Sequence, residues 1–140
     1  MQQFLSYASN HALLAAATAV MAVLVLVNEF RMRTANFGSI SPTEAVRLMN
    51  SGALLIDIRA SDVFEAGHIP NARSVPGATI ADGAKSLERF KDKAVIAYCD
   101  SGQTAGAAAR HLGRLGFTQV YNLRGGLAAW RQENLPVEKR

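Results

Sequence analysis

Ala94-Val-Ile-Ala-Tyr-Cys99-Asp-Ser-Gly-Gln-Thr104, continued by Ala105-Gly-Ala-Ala-Ala-Arg-His-Leu112, is the stretch that decides the fold. Ala94 to Tyr98 is a continuous apolar run, the pattern of a strand buried on both faces of a parallel sheet. Asp100-Ser-Gly102 is a tight polar turn. Ala105, Ala108, Ala109 and Leu112 then recur at helical spacing. The only cysteine of the chain, Cys99, stands at the mouth of the turn. A thiol there faces the turn's backbone N–H groups and the positive end of the following helix dipole, and both stabilise an anion. On its own, a lone cysteine at a strand end reads better as a small buried hydrophobe, so the flanking sequence has to decide.

Outward from this stretch, strand and helix alternate. Ser41-Pro-Thr-Glu44 forms a capping box with proline at the first helical position, and Asn50-Ser-Gly52 ends that helix. Ala53 to Ile58 is a second apolar run ending in Arg59. Ser61 or Asp62 caps a short helix reaching Ala66. Gly67 to Ala72 is a turn, and Arg73-Ser-Val-Pro76 is a short strand stopped by proline. Residues 77–93 hold a loop and a polar helix near Ser86–Phe90. The helix after Cys99 also buries Leu115 and ends at Gly116. Gln119–Leu123 is a further strand, Gly125-Gly126 opens a last helix carrying Trp130, and Asn134 to Arg140 is a polar tail. This alternation predicts an α/β domain with a central, mainly parallel sheet.

The charge is one-sided. Residues 1–28 carry no Asp, Glu, Lys or Arg, so all eleven acids and fifteen Lys/Arg lie from Glu29 onward. Ala12 to Val27 is an unbroken apolar run, about 24 Å long as a helix against a hydrocarbon core of about 30 Å. Extension back to Phe4 or Leu5 supplies the missing length, with Ser6, Tyr7, Ser9, Asn10 and His11 near the interface. A cleaved secretory signal lacks its cationic start and small-residue exit here. A core helix would be apolar all round in a small domain. The prediction is a single transmembrane helix over residues 5–27. Arg31 and Arg33 follow it and no cation precedes it, so the positive-inside rule places the N-terminus outside and the domain in the cytoplasm of a bacterial-type inner membrane. One free thiol fits a reducing compartment. The expected organisation is an anchor and juxtamembrane segment (1–33), a linker (34–39), an α/β domain (40–136) and a tail (137–140). The net charge of +4 is dispersed, with no basic cluster among aromatics, which argues against nucleic acid.

Ile56-Asp-Ile-Arg59, Phe64 and Gly67-His-Ile-Pro-Asn-Ala72 resemble the N-terminal signature of rhodanese-like domains. The Cys99 turn sits where their active-site loop sits, and Leu123-Arg-Gly-Gly-Leu-Ala-Ala-Trp130 resembles their C-terminal signature. The resemblance covers residues 38–136 and implies a five-stranded rhodanese-like domain flanked by helices, here preceded by one transmembrane helix. It also implies an activity. Cys99 as thiolate takes a sulfane sulfur from a donor such as thiosulfate and passes the persulfide sulfur to cyanide, a thiol or a protein acceptor. The cradle would be the backbone N–H groups of Asp100, Ser101, Gly102, Gln103 and Thr104, with Ala105 at the helix start. No cofactor and no metal are expected: His11, His68 and His111 have no metal-ligand spacing, and Gly125-Gly126 lacks the lysine of a phosphate loop.

The loop departs from the family pattern in carrying no Arg or Lys and in placing Asp100 beside the nucleophile. A carboxylate there raises a thiol pKa and repels a dianionic donor. Weak thiosulfate turnover is therefore expected, with persulfides or polysulfides as better donors and with Asp100→Arg improving thiosulfate kcat/KM; Arg73 or Arg124 are the cations that could compensate. Five residues after Cys99 stands Thr104, and Ala105 follows where a Cys-x5-Arg phosphatase needs its clamping arginine, which removes that chemistry. Asp57 with Arg59 reads as a bracing ion pair, His68 as a backbone-bonded turn residue rather than a base, and Trp130 as core. The acidic loop also keeps open a second class, a rhodanese-fold scaffold that binds a partner at the membrane without turnover.

Overall fold

The strand before Cys99 is the middle of the sheet. The computed structural model describes residues 1, 3, 6–7, 11–34 and 36–140. Strands β1 (Asn36–Ile40), β2 (Leu54–Asp57), β3 (Arg73–Ser74), β4 (Ala94–Tyr98) and β5 (Gln119–Leu123) form one sheet in the order β1-β5-β4-β2-β3, with every neighbouring pair parallel. Side chains alternate between its faces, and both faces are covered. Val95 and Ala97 join Leu54, Ile56 and Val120 in one core, with Ala105, Ala108, Ala109 and Leu112 of α5 (Gln103–Arg114) and Ile80 and Ala84 of α4 (Ile80–Lys85). Ile96 and Tyr98 join Leu55 and Leu123 in the other, with Ala45 of α2 (Pro42–Asn50) and Leu127 and Trp130 of α6 (Gly126–Gln132).

The strand order places the site. From β2 the chain moves outward to β3 on one side, and from β4 it moves outward to β5 on the other. The connections diverge between these two neighbours, and in an open parallel sheet the crevice beyond the carboxyl ends of such a pair is where ligands sit. Cys99 follows β4 and Ile58-Arg59 follow β2 at this point.

The capping box forms as the sequence predicts. Ser41 Oγ accepts from the Glu44 N–H at 3.3 Å, and Glu44 Oε2 accepts from the Ser41 N–H at 2.8 Å. Other expectations change. Residues 36–39, placed in a linker, form β1 together with Ile40 and pair with β5 along their whole length, from Asn36 opposite Gln119 to Ile40 opposite Leu123. Asn, Gly and Ser are poor strand formers, and here the pairing partner decides. The cap of α3 (Ser61–Ala66) is Ala60, with no side-chain bond from Ser61 or Asp62. Residues 77–93 hold α4 and two 3₁₀ turns, Gly77–Thr79 and Glu88–Phe90, in place of one polar helix. Leu115 is 37% exposed rather than buried. The tail also belongs to the fold. Glu138 and His68 exchange backbone bonds of 2.8 Å in both directions, Arg140 N–H donates to Glu65 O at 3.1 Å, and Trp130 Nε1–H donates to Pro136 O at 2.8 Å.

The N-terminal unit is a helix, α1 (Ala12–Thr34), distinct from the domain beginning at residue 35. Its 23 residues span about 34 Å. The window Ala12–Glu29 has a mean hydropathy of 2.1, so this one helix among the described residues is long and apolar enough to cross a membrane. Its length comes from continuing past Val27. The expected extension to Phe4 or Leu5 and the interface positions Ser9 and Asn10 lie outside the described residues, as do the side chains of Arg31 and Arg33.

Candidate active site

Cys99 is buried, 4% exposed, and the loop after it curls so that its own backbone meets the sulfur. The Gly102 N–H donates to Sγ at 3.0 Å. Gly102 does this at φ +87°, a conformation that costs glycine nothing, and its Cα lies so close to Leu123 O and Gly125 N that a Cβ would stand 3.0 Å from each. Burial pushes the thiol pKa up, but the Thr104 hydroxyl and the N–H groups of Ala105, Ser101 and Thr104 outweigh it, and the net shift is downward. The donors set the direction, not the neighbouring acid, so the expected upward push from Asp100 does not prevail. Within the predicted cradle, Ser101, Gly102 and Thr104 reach the sulfur, joined by Ala105. Asp100 uses its carbonyl and carboxylate elsewhere, and Gln103 is the exposed first residue of α5.

With the loop's N–H groups turned inward, its carbonyls need other donors. Leu127 N–H donates to Cys99 O at 2.9 Å and Ala128 N–H to Asp100 O at 3.0 Å, so the first turn of α6 holds the loop from behind. Asn122 Nδ2 donates to Gly102 O at 2.8 Å. Reading the sequence locally misses all three supports. The one signal for them is Gly125-Gly126, where a side chain at Gly126 would overlap the Cys99 carbonyl.

Arg59 joins the N-terminal signature to the cysteine loop. Asp57 is fully buried, and Arg59 Nε lies 2.9 and 3.0 Å from its two oxygens while Nη2 lies 2.6 Å from Oδ2. Nη2 also donates to Gly67 O at 2.7 Å. Nη1 reaches across to Asp100 Oδ1 at 3.0 Å. The bracing pair expected between Asp57 and Arg59 is therefore a triad that includes the acid of the cysteine loop. The two arginines that could have compensated are engaged elsewhere: Arg73 lies over the Phe90 ring, 5.3 Å from its centroid, and Arg124 Nη2 donates to Ser39 O at 3.0 Å. His68 is buried, stacks on Phe64 at 3.8 Å and shares its Nδ1 with Phe64 O at 2.9 Å, the arrangement of a structural histidine.

A family model described as "Rhodanese-like domain" matches residues 41–133, which contain the cysteine loop and all its supports. The chain belongs to the rhodanese-like family. This rhodanese-like chain is 36% identical over 139 residues to the "Uncharacterized protein YibN" of Escherichia coli (strain K12), covering 98% of this chain and 97% of that protein. That match runs through the apolar N-terminal segment as well as the domain. It is 35% identical over 95 residues to the "Thiosulfate sulfurtransferase GlpE" of Pseudomonas syringae pv. syringae (strain B728a), covering 68% of this chain and 88% of that one. Among solved structures, the rhodanese-like domain from the Anabaena sp Alr3790 protein superposes with a TM-score of 0.66 at 26% identity, over 73% of this chain and 79% of that one.

The rhodanese-like loop makes a direct prediction. A thiolate is the reactive form of cysteine, so the alkylation rate of Cys99 rises with pH through its lowered pKa. Thr104→Val removes one donor to the anion. Its iodoacetamide rate profile is expected to shift to higher pH with an unchanged plateau, measured by intact mass against time.

Proposed function

We propose that the protein is a sulfurtransferase that carries sulfane sulfur as a persulfide on Cys99. The observation that carries this reading is the convergence of the Gly102 N–H, the Thr104 hydroxyl and the N–H groups of Ser101, Thr104 and Ala105 on the sulfur of the chain's only cysteine. The thiolate attacks the outer sulfur of a donor R–S–SH, the donor S–S bond breaks with its electron pair leaving on RS⁻, and Cys99–S–SH forms. An acceptor thiolate or cyanide then attacks the outer sulfur, takes it as persulfide or thiocyanate, and returns Cys99 as thiolate. A protein thiol serves as acceptor by the same step. The cradle stabilises the anionic sulfur at both ends of the cycle without a separate base.

Donor choice follows from charge. Arg59 reaches the loop but is held by two carboxylates, and the loop's own residues 100–104 carry no Lys or Arg. Thiosulfate, a dianion, is expected to give a kcat/KM at least about tenfold below that of an organic persulfide, by the loss of one charge-assisted contact. Steady-state sulfide and thiocyanate assays check this.

The deciding measurement is intact mass after incubation with persulfide, polysulfide or thiosulfate. An adduct of about 32 Da, absent in Cys99→Ser, is expected. No adduct from any of these donors would favour the scaffold reading. We place α1 in the inner membrane with the domain in the cytoplasm, because Arg31 and Arg33 follow the span. Protease added to intact spheroplasts is expected to spare the domain and to digest it after lysis.

A further inference from the structure

Beside the Cys99 loop lies an open cleft of about 750 Å³. Thr104, Ala107 and His111 line it along one stripe of α5, and Ile58, Pro76 and Ala81 line it from the chain beyond β2 and β3. Ile58 just after β2 and Thr104 in the first turn of α5 set one end of the cleft near the carboxyl ends of β2 and β4, and from there it runs between α5 and α4. No Asp, Glu, Lys or Arg is among the described residues that line it, and Thr104 and His111 are its polar side chains. Thr104 connects the cleft to the sulfur, because its hydroxyl is one of the groups that hold Cys99 Sγ. His111 lies seven positions after Thr104, so the cleft runs about 10 Å along α5 from its sulfur end.

We propose that this cleft binds the organic part of the sulfur carrier, an uncharged alkyl chain of about hexyl to octyl length whose sulfur lies at Thr104. The proposal rests on the Cys99 transfer reading and names its substrate class, an alkyl persulfide as donor or an alkanethiol as acceptor. An inorganic donor leaves this apolar wall in water, and a charged organic tail meets no counter-charge on it. An alkyl chain removes the wall from water, and each methylene it buries strengthens binding about fourfold. The step itself is unchanged: Cys99 thiolate attacks the outer sulfur of R–S–SH, and RS⁻ leaves with the electron pair of the broken S–S bond while its chain still occupies the cleft.

The test uses the full-length protein in one detergent, loaded in parallel from octyl and from methyl hydropersulfide, with the gain in mass at Cys99 followed against time. Ala81→Trp and Ala107→Phe fill the cleft from exposed positions on opposite walls. Each is expected to lower the octyl-to-methyl ratio of kcat/KM at least about fivefold relative to wild type. Because both donors are measured on the same preparation, a partly folded variant does not move that ratio, and comparison with wild type cancels partition of the octyl donor into detergent. A ratio that stays at the wild-type value in both variants would overturn the proposal. Inorganic polysulfide, tried on wild type alone, separates the two levels: if it loads Cys99 while the alkyl ratio ignores the cleft, only the cleft assignment falls. If no donor loads Cys99, the transfer reading falls and the cleft assignment with it.

Discussion

Arg59→Gln is expected to destabilise the domain by about 3–5 kcal/mol, a large share of an ordinary domain's 5–15. Asp57 is fully buried, and in the native protein its oxygens meet the Arg59 side chain at 2.6 to 3.0 Å. Removing the guanidinium leaves a carboxylate in the interior without its counter-charge, and it also strips Gly67 O of its donor. The Asp100 contact behaves differently. Asp100 is 72% exposed, so Asp100→Asn is expected to cost no more than about 1 kcal/mol. Urea unfolding of both variants checks the contrast. A cycle with Asp57→Asn adds a sharper criterion: the double variant should be more stable than additivity allows, because it removes both members of the buried pair. An Arg59→Gln protein no less stable than Asp100→Asn would show that the buried Asp57 pair does not brace the N-terminal signature.

Gly126→Ala is expected to lower sulfur transfer about a hundredfold, through displacement of the reacting sulfur rather than loss of any reacting group. The residue stands at φ +57°, and a Cβ there would overlap Cys99 O and lie 2.7 Å from Asp100 C and 2.8 Å from Asp100 O. These are backbone atoms of the cysteine loop, so the loop itself must move. Moving it breaks the bonds from Leu127 and Ala128 that hold its carbonyls. Stability is expected to fall by about 3 kcal/mol, from the left-handed backbone and the lost hydrogen bonds together. Gly52→Ala is the internal comparison. It also has a positive φ, +92°, but a Cβ there meets nothing within 4 Å, so it is expected to cost about 1 kcal/mol and leave transfer intact. Thermal unfolding and persulfide loading of the pair measure both effects. Equal behaviour of the two variants would refute the close approach of α6 to the loop.

Much of the site was legible from short-range pattern. The apolar run to Tyr98, the Asp-Ser-Gly turn and the alanine stripe each follow one period, so strand, loop and helix could be read around Cys99, and with them the amides that face its sulfur. The capping box at Ser41 and the apolar span after His11 were legible for the same reason: each is a property of one element. β1 was not legible. Its Asn-Phe-Gly-Ser-Ile has no strand pattern of its own, and its conformation comes from β5, more than eighty residues later in the chain. The place of the tail is likewise not local, since Glu138 is ordered by the backbone of His68.

Asp100 marks the boundary most clearly. Beside a thiol in the sequence it reads as an acid that raises the pKa, but its carboxylate is occupied by Arg59, 41 residues away. By itself, the sequence determined the family, the α/β class, the apolar helix and the identity of the nucleophile candidate, because these reside in contiguous residues and local periodicity. Only the tertiary structure decided which charge answers Asp100, which helix holds the loop's carbonyls, and that an apolar cleft opens beside Thr104. Those contacts join segments that the sheet order β1-β5-β4-β2-β3 brings together, and strand order is a property of the packed sheet, not of any one stretch of chain.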